Sequence, residues 1–226
     1  MLSDTKGKLI FDPMDDYVVL DLETTGIDTN VEEVIEISAV KVIGGKVVDT
    51  YSTLVNPGRH IDYNISSITG IMDDMVKDSP DFKTALEGFI SFAGDMVLTG
   101  HNVRNFDLRF IYRDCEKFWG KTIGNDYFDT LILSRIYLPD IEHHALSDIA
   151  DYYSVSSEGA HRALYDCLTT QQVYEHLKDE MKDPSPAALA VKRCPRCRNM
   201  LKRREGKFGP FYGCMSFPDC RYTLNI

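Results

Sequence analysis

The stretch VVLDLETTGI, residues 18–27, decides how the rest of the chain reads. Val18, Val19 and Leu20 have the apolar, β-branched character of a buried strand. Asp21, Leu22 and Glu23 then place two acids two residues apart. Side chains alternate faces along a strand, so both carboxylates point the same way. Two like charges on one face of a core strand repel and resist desolvation unless a cation compensates them. Working outward, VIEISAVKVI (34–43) and KVVDTYSTLV (46–55) are two more strand patterns separated by Gly44-Gly45, which predicts a hairpin.

Helical patterns follow. In SPDFKTALEGFISFAG the apolar residues Phe82, Leu86, Phe89 and Phe92 recur at helical spacing, with Ser79 or Asp81 as a cap. DMVLTG (95–100) predicts a short buried strand, and Phe106, Phe110 and Ile111 begin a helix running to about Phe118. YFDTLILSRIY holds a strand entering a helix, HALSDIADYY a short helix, and residues from about 160 to 178 a long one. A leading hairpin followed by alternating helices and strands predicts a mixed α/β sheet flanked by helices. KDEMKDPSPAALAV (178–191) shifts toward Pro, Ala and charge and is read as a linker.

The net charge of −10 is unevenly spread. Residues 192–226 hold nine basic residues and two acids, a net +7 that leaves −17 for the rest. An acidic body with a basic module points to a polyanionic partner. No apolar run approaches the roughly 20 residues of a membrane span, and the first residues show no secretory pattern. No membrane association and a cytoplasmic location are therefore expected. Cys115 and Cys167 stand alone in helical patterns and read as small buried hydrophobes. Cys194, Cys197, Cys214 and Cys220 cluster, which favours a metal site over disulfides.

More acids can join the first pair. Asp107 stands near the start of a helix that follows the 95–100 strand, and Asp166 lies in the first turns of the long helix. Three or four carboxylates at a strand end make a hard-oxygen site suited to Mg²⁺ or Mn²⁺. Two such ions can activate water and stabilise a leaving alkoxide. His161, five residues before Asp166, can accept the proton of that water.

DLETTG, FDLRF and HRALYD resemble the three motifs of the DEDDh family of 3′→5′ exonucleases, which includes the proofreading epsilon subunit of bacterial DNA polymerase III and the exonuclease segments of related replicative polymerases. NISSITGI (64–71) and FDTLILSR (128–135) are similar to further family segments. The resemblance implies an RNase H-like fold with a five-stranded mixed sheet, its first three strands antiparallel. It implies that Asp21, Glu23, Asp107 and Asp166 bind two Mg²⁺ (or Mn²⁺) ions and that His161 is the general base. Thr24, Thr25 and Gly26 would lie against the 3′-terminal nucleotide, with Asn102 and Phe106 as further substrate contacts. The resemblance is to the histidine variant, because His161 stands five residues before Asp166, whereas the tyrosine variant would have Tyr at position 162, which is Arg. One departure is HNVRNFD, residues 101–107, with three residues where the family usually has two between His-Asn and Phe-Asp.

The spacing Cys194-x₂-Cys197-x₁₆-Cys214-x₅-Cys220 predicts one closed structural Zn²⁺ site of four thiolates. The segment is similar to the C-terminal zinc fingers of type IA topoisomerases, which implies single-stranded DNA binding. Phe208, Phe211, Tyr212, Phe217 and Tyr222 interleave with Lys202, Arg203, Arg204, Lys207 and Arg221, a pattern suited to base stacking and phosphate contact. The expected organisation is an N-terminal extension (1–13), an exonuclease domain (14–180), a linker (181–191) and a zinc ribbon (192–226). The expected function is a metal-dependent 3′→5′ exonuclease acting on single-stranded or frayed DNA ends in replication or repair, with a DNA polymerase or repair complex as a partner. An RNA exonuclease uses the same metal chemistry and is the alternative, followed by a non-catalytic nucleic-acid-binding adaptor.

Overall fold

In the computed structural model, which describes residues 2–156 and 161–226, a short strand β1 (Leu2–Ser3) precedes an antiparallel meander of β2 (Tyr17–Thr24), β3 (Val34–Ile43) and β4 (Lys46–Leu54). Gly44 and Gly45 make the β3–β4 turn at φ +57° and +75°, the doubly left-handed conformation that matches strand twist and that glycine adopts without strain. Helices α1 (Tyr63–Thr69), α2 (Asp73–Val76) and α3 (Phe82–Ala93) follow, then β5 (Leu98–Thr99). Next come α4 (Asp107–Trp119), β6 (Thr122–Ile123), α5 (Thr130–Tyr137), α6 (Leu146–Tyr152) and α7 (Ala163–Lys182). Asp81 is the cap of α3, accepting from Thr84 N at 2.9 Å.

The central sheet has the order β4-β3-β2-β5, with β5 parallel to β2. A fifth strand was expected; its place is held by one parallel bridge between Leu98 and Tyr127. Backbone hydrogen bonds from Leu98 N to Asp126 O, Phe128 N to Leu98 O and Thr130 N to Gly100 O continue that edge up to the start of α5. The 1–13 segment reaches the same edge. Leu9 pairs with Tyr127, and β1 pairs with β6.

Residue parity divides the core. Val18, Leu20 and Leu22 face α3 and α4, together with Leu86, Phe89, Phe110 and Ile111. Tyr17 and Val19 face α5, α6 and α7, together with Phe128, Ile149, Cys167 and Tyr174. Burying each such side chain stabilises the fold by roughly 1.5–3 kcal/mol. Asp21 and Glu23 share parity with Tyr17 and Val19, so the alternation turns them toward the face that carries α7. Cys115 and Cys167 are both buried, as expected.

The segment read as a linker contains the end of α7 and a short helix, α8 (Pro186–Ala190). Ser185 Oγ caps α8 by accepting from Ala188 N at 3.1 Å, and α8 packs on α5 with Ala188 buried. Beyond it, β7 (Leu201–Gly206), β8 (Gly209–Cys214) and β9 (Thr223–Asn225) form a small antiparallel sheet. Among the described residues no helix is long and apolar enough to cross a membrane.

Candidate active site and cysteine centre

The C-terminal end of β2 carries the acids that the sequence singled out. One carboxylate oxygen each of Asp21, Glu23 and Asp166 lies within 4.8 Å of the other two. Helix α7 lies across β2 and β3 and brings Asp166 over them. The thiol of Cys167 is 3.5 Å from Ser38 O, so the turn after Asp166 sits directly on the sheet backbone.

Asp107 arrives from the opposite layer. Its Oδ1 accepts from Leu22 N at 3.0 Å. Strand β5 pairs with β2 only at Val18 and Val19, so the Leu22 N–H lies beyond the ladder and needs another acceptor. Asp107 supplies it, which draws the buried carboxylate to the strand end rather than into the α4 core. Gly100 lets the chain turn there, since a Cβ on it would come within 2.7 Å of Leu20 O.

The four acids strain one another electrostatically. Burial raises Asp21 well above the usual carboxylate range, and the charges of Asp107, Asp166 and Glu23 raise it further. Burial, then Asp166 and Glu36, push Glu23 up to about 7, with Arg162 opposing. Asp107 is raised by burial despite its Leu22 hydrogen bond. Asp166 is raised by burial, with the His161 N–H and the His161 charge opposing. Such a cluster of hard oxygen donors gains from a divalent cation.

His161 stands exposed at the rim, at φ +68°, and its backbone N–H donates to Asp166 Oδ2 at 3.0 Å. Thr24 and Thr25 are buried and their hydroxyls are engaged within the β2–β3 connection. Thr24 donates to Gly26 O at 2.7 Å, and Thr25 to Glu32 Oε2 at 2.6 Å. Phe106 packs edge-on against Phe110, directly before Asp107. Asn102 takes a left-handed conformation, φ +66°, which accommodates the longer 101–107 loop. Both ring nitrogens of His101 are engaged outside the acid cluster. Its Nε2 lies 2.9 Å from His144 O and its Nδ1 3.0 Å from Thr130 Oγ1.

Three residues had gone unrecognised. Glu36 is almost fully buried and lies opposite Glu23 in the β2–β3 register. Arg162 binds it at 2.9 and 3.2 Å, and Ala163 N donates to it at 3.2 Å. Glutamate in an otherwise apolar strand was the available signal. Asp129 is fully buried and accepts from Asn102 N and Arg104 N, each at 3.1 Å, besides capping α5. Its position just before an apolar helical run marked it as a cap.

In the C-terminal module the sulfurs of Cys194, Cys197, Cys214 and Cys220 lie within 4.8 Å of one another. Burial acts to raise the Cys197 thiol, but hydrogen bonds from Asn199 N–H and neighbouring groups bring it down to about 7. Four converging sulfurs fit a tetrahedral Zn²⁺. Tyr212 and Tyr222 belong to the module's own small core, whereas Phe208 and Phe217 are 96% and 62% exposed. Two of the nine basic residues contact the body: Arg193 stacks on Phe11, and Arg198 binds Asp12 at 3.0–3.3 Å.

Residues 18–174 match the family model described as Exonuclease, and residues 191–226 the one described as Topoisomerase DNA binding C4 zinc finger. DNA polymerase III subunit epsilon of Aquifex aeolicus is 36% identical over 165 residues, covering 73% of this chain and 81% of that protein. The PolC-type DNA polymerase III of Caldanaerobacter subterraneus is 36% identical over 190 residues, 84% of this chain. The chain spans about an eighth of the length of the PolC-type relatives. Among solved structures, Exonuclease X in complex with 5′ overhanging duplex DNA aligns with a TM-score of 0.59 and 27% identity, covering 72% of this chain and 91% of that one. Escherichia coli Exonuclease I in complex with a dT13 oligonucleotide aligns with a TM-score of 0.66 over 94% of this chain and 55% of that one; at 14% identity it shows the shared fold.

Proposed function

The chain belongs to the exonuclease family, and from that premise we propose that it is a metal-dependent 3′→5′ exonuclease that trims single-stranded or frayed DNA ends and releases nucleoside 5′-monophosphates. The observation that carries this reading is the convergence of Asp21, Glu23 and Asp166 within 4.8 Å, with Asp107 held beside them by Leu22 N. We assign catalysis to residues 14–180 and strand holding to 192–226.

Asp21, Glu23, Asp107 and Asp166 would hold two Mg²⁺ or Mn²⁺ ions, and four hard, mutually repelling oxygen donors suit that role. When bound, such ions lower the pKa of a water and neutralise charge on the leaving oxygen. The imidazole of His161 takes the proton from the attacking water. The water oxygen bonds to phosphorus, the P–O3′ bond breaks, and the departing 3′ oxygen ends protonated. The hydrogen bond from His161 N to Asp166 keeps base and carboxylate together. The Arg162–Glu36 pair anchors the start of α7 and so positions both. Cys194, Cys197, Cys214 and Cys220 would hold one structural Zn²⁺.

DNA is favoured over RNA because the C-terminal module matches a DNA-binding family and the relatives are DNA polymerase proteins. Those relatives also support a polymerase or repair complex as partner. The intact acid set weighs against a non-catalytic adaptor. The test uses 3′- and 5′-labelled single strands of DNA and matched RNA, with Mg²⁺ or EDTA. Immediate release of the 3′ label as a mononucleotide from DNA, abolished by EDTA, is expected. Release first from the 5′ end, or cleavage that persists in EDTA, sinks the proposal; preferential RNA cleavage transfers it to the alternative substrate.

A further inference from the structure

A cleft of about 600 Å³ lies between the C-terminal module and the exonuclease body. Its walls come from three places that are distant in sequence. Lys6 and Lys8 come from the N-terminal segment, Arg104 and Arg109 flank the start of α4, and Arg196 belongs to the first cysteine knuckle. Asp219 is the single acid lining it, so the walls carry a net +4 in a chain of net −10. That acid is committed to Arg104 at 2.5 Å. Lys6 reaches Glu116, outside the cleft, at 3.5 Å. Lys8, Arg109 and Arg196 are exposed and make no ion pair among the described residues.

Aromatic surface accompanies the cations. Phe217 and Tyr112 line the cleft, and Phe217 is mostly exposed. Phe217 also borders a second hollow, about 280 Å³, on the ribbon face beside Arg204, Phe211 and Arg221. Phe217 and Cys220 thus border both hollows. Asn105 and Arg109, on the cleft wall, flank Asp107 in sequence, and the Asp107 carboxylate itself accepts from Leu22 N. The contact that seats the ribbon here is made by Arg104, which also donates to Ser216 O at 3.3 Å. Arg104 belongs to the three-residue stretch of HNVRNFD that exceeds the usual family length.

We infer that this cleft is a binding groove for the phosphodiester backbone of a single strand, formed jointly by the ribbon and the body, with Lys8, Arg109 and Arg196 as phosphate contacts and Phe217 as a base-stacking platform. Unpaired cations along a groove with aromatic faces are what sequence-tolerant single-strand binding needs. The groove also answers the repulsion between an acidic body and a polyanion, because the strand meets positive charge on its way to the acids. The inference rests on the reading of the chain as acting on nucleic acid.

The test is the salt dependence of binding, measured by fluorescence anisotropy on the full-length zinc-loaded chain without added Mg²⁺, so that no cleavage intervenes. The probes are a labelled oligothymidylate and a matched oligouridylate. Lys8→Gln/Arg109→Gln/Arg196→Gln is compared with wild type and with Lys46→Gln/Lys83→Gln/Lys182→Gln, which removes equal charge elsewhere. Loss of three phosphate contacts should flatten the slope of log K against log salt by about 2, at roughly 0.7 per contact. Affinity at moderate salt should fall at least about 10-fold, with Phe217→Ala reducing it further. A groove triple whose slope matches wild type, or a control triple that flattens it equally, overturns the groove. Parallel losses on both probes assign it to the shared backbone, and a loss on only one refutes that shared role. A protein that binds through these residues yet cleaves nothing would refute the exonuclease reading and leave the groove standing.

Discussion

Glu36 stands directly opposite Glu23 across the antiparallel β2–β3 pair, and Arg162 grips it from the start of α7. A fifth acidic side chain therefore borders the four-acid site, and the arginine between His161 and Ala163 donates to it. Removing Arg162 leaves Glu36 buried, facing another acid and without its guanidinium partner. Arg162→Gln should lower the unfolding free energy by roughly 1–3 kcal/mol, below the range for a fully enclosed pair because the Arg162 side chain is 43% exposed. In denaturant melts, Glu36→Gln/Arg162→Gln should lose less than the sum of the single variants. Additive losses would show that the two residues do not act as a pair.

Asp107 has two tasks, accepting from Leu22 N and contributing charge to the site. Asp107→Asn retains an acceptor while removing the charge. It should melt close to wild type, bind single strands, and show no Mg²⁺-dependent turnover above background. Wild-type-like turnover would remove Asp107 from the catalytic set.

His101 is held by His144 O and Thr130, and burial pushes its imidazole from 6.5 down to about 4. The folded protein keeps it neutral, whereas the unfolded chain protonates it below pH 6.5. Its contribution is therefore present above 6.5 and lost as pH falls toward 4, with a ceiling of roughly 3 kcal/mol. Stability measured from pH 7 to pH 4 should fall more steeply for wild type than for His101→Gln. Parallel pH profiles would refute this assignment.

The four sulfurs of the C-terminal module should bind one Zn²⁺ per chain, measurable by atomic absorption. Cys197→Ser should lose the metal, unfold the small β7–β9 sheet and weaken single-strand affinity about 10-fold or more. A zinc-free ribbon that binds DNA as tightly as wild type would contradict this.

Local pattern exposed much of this architecture because local physics produces it. The alternation in VVLDLET set the parity of Asp21 and Glu23, Gly44-Gly45 set the hairpin, and the cysteine spacing set the four-sulfur cluster. Asp81 was one of two caps that its position before an apolar helical run allowed. The fifth strand is one bridge with backbone hydrogen bonds from 98–100 to 126–130, because α5 begins at Thr130, and strand propensity does not register where that helix starts. The partners of the threonine hydroxyls were not legible either: Glu32, Glu33 and Gly26 engage them once the β2–β3 connection folds back.

By itself the sequence determined the strand-end acids, the helix carrying Asp166, the cysteine centre and the charge division between body and ribbon. Each follows from residues close in the chain or from periodicity. Only the tertiary structure decided that Asp107 would serve the Leu22 N–H, that Glu36 would meet Arg162, and that Lys8, Arg109 and Arg196 would face one cleft. Those relations join residues about 80 to 190 positions apart, which chain packing brings together without leaving a local periodic signal.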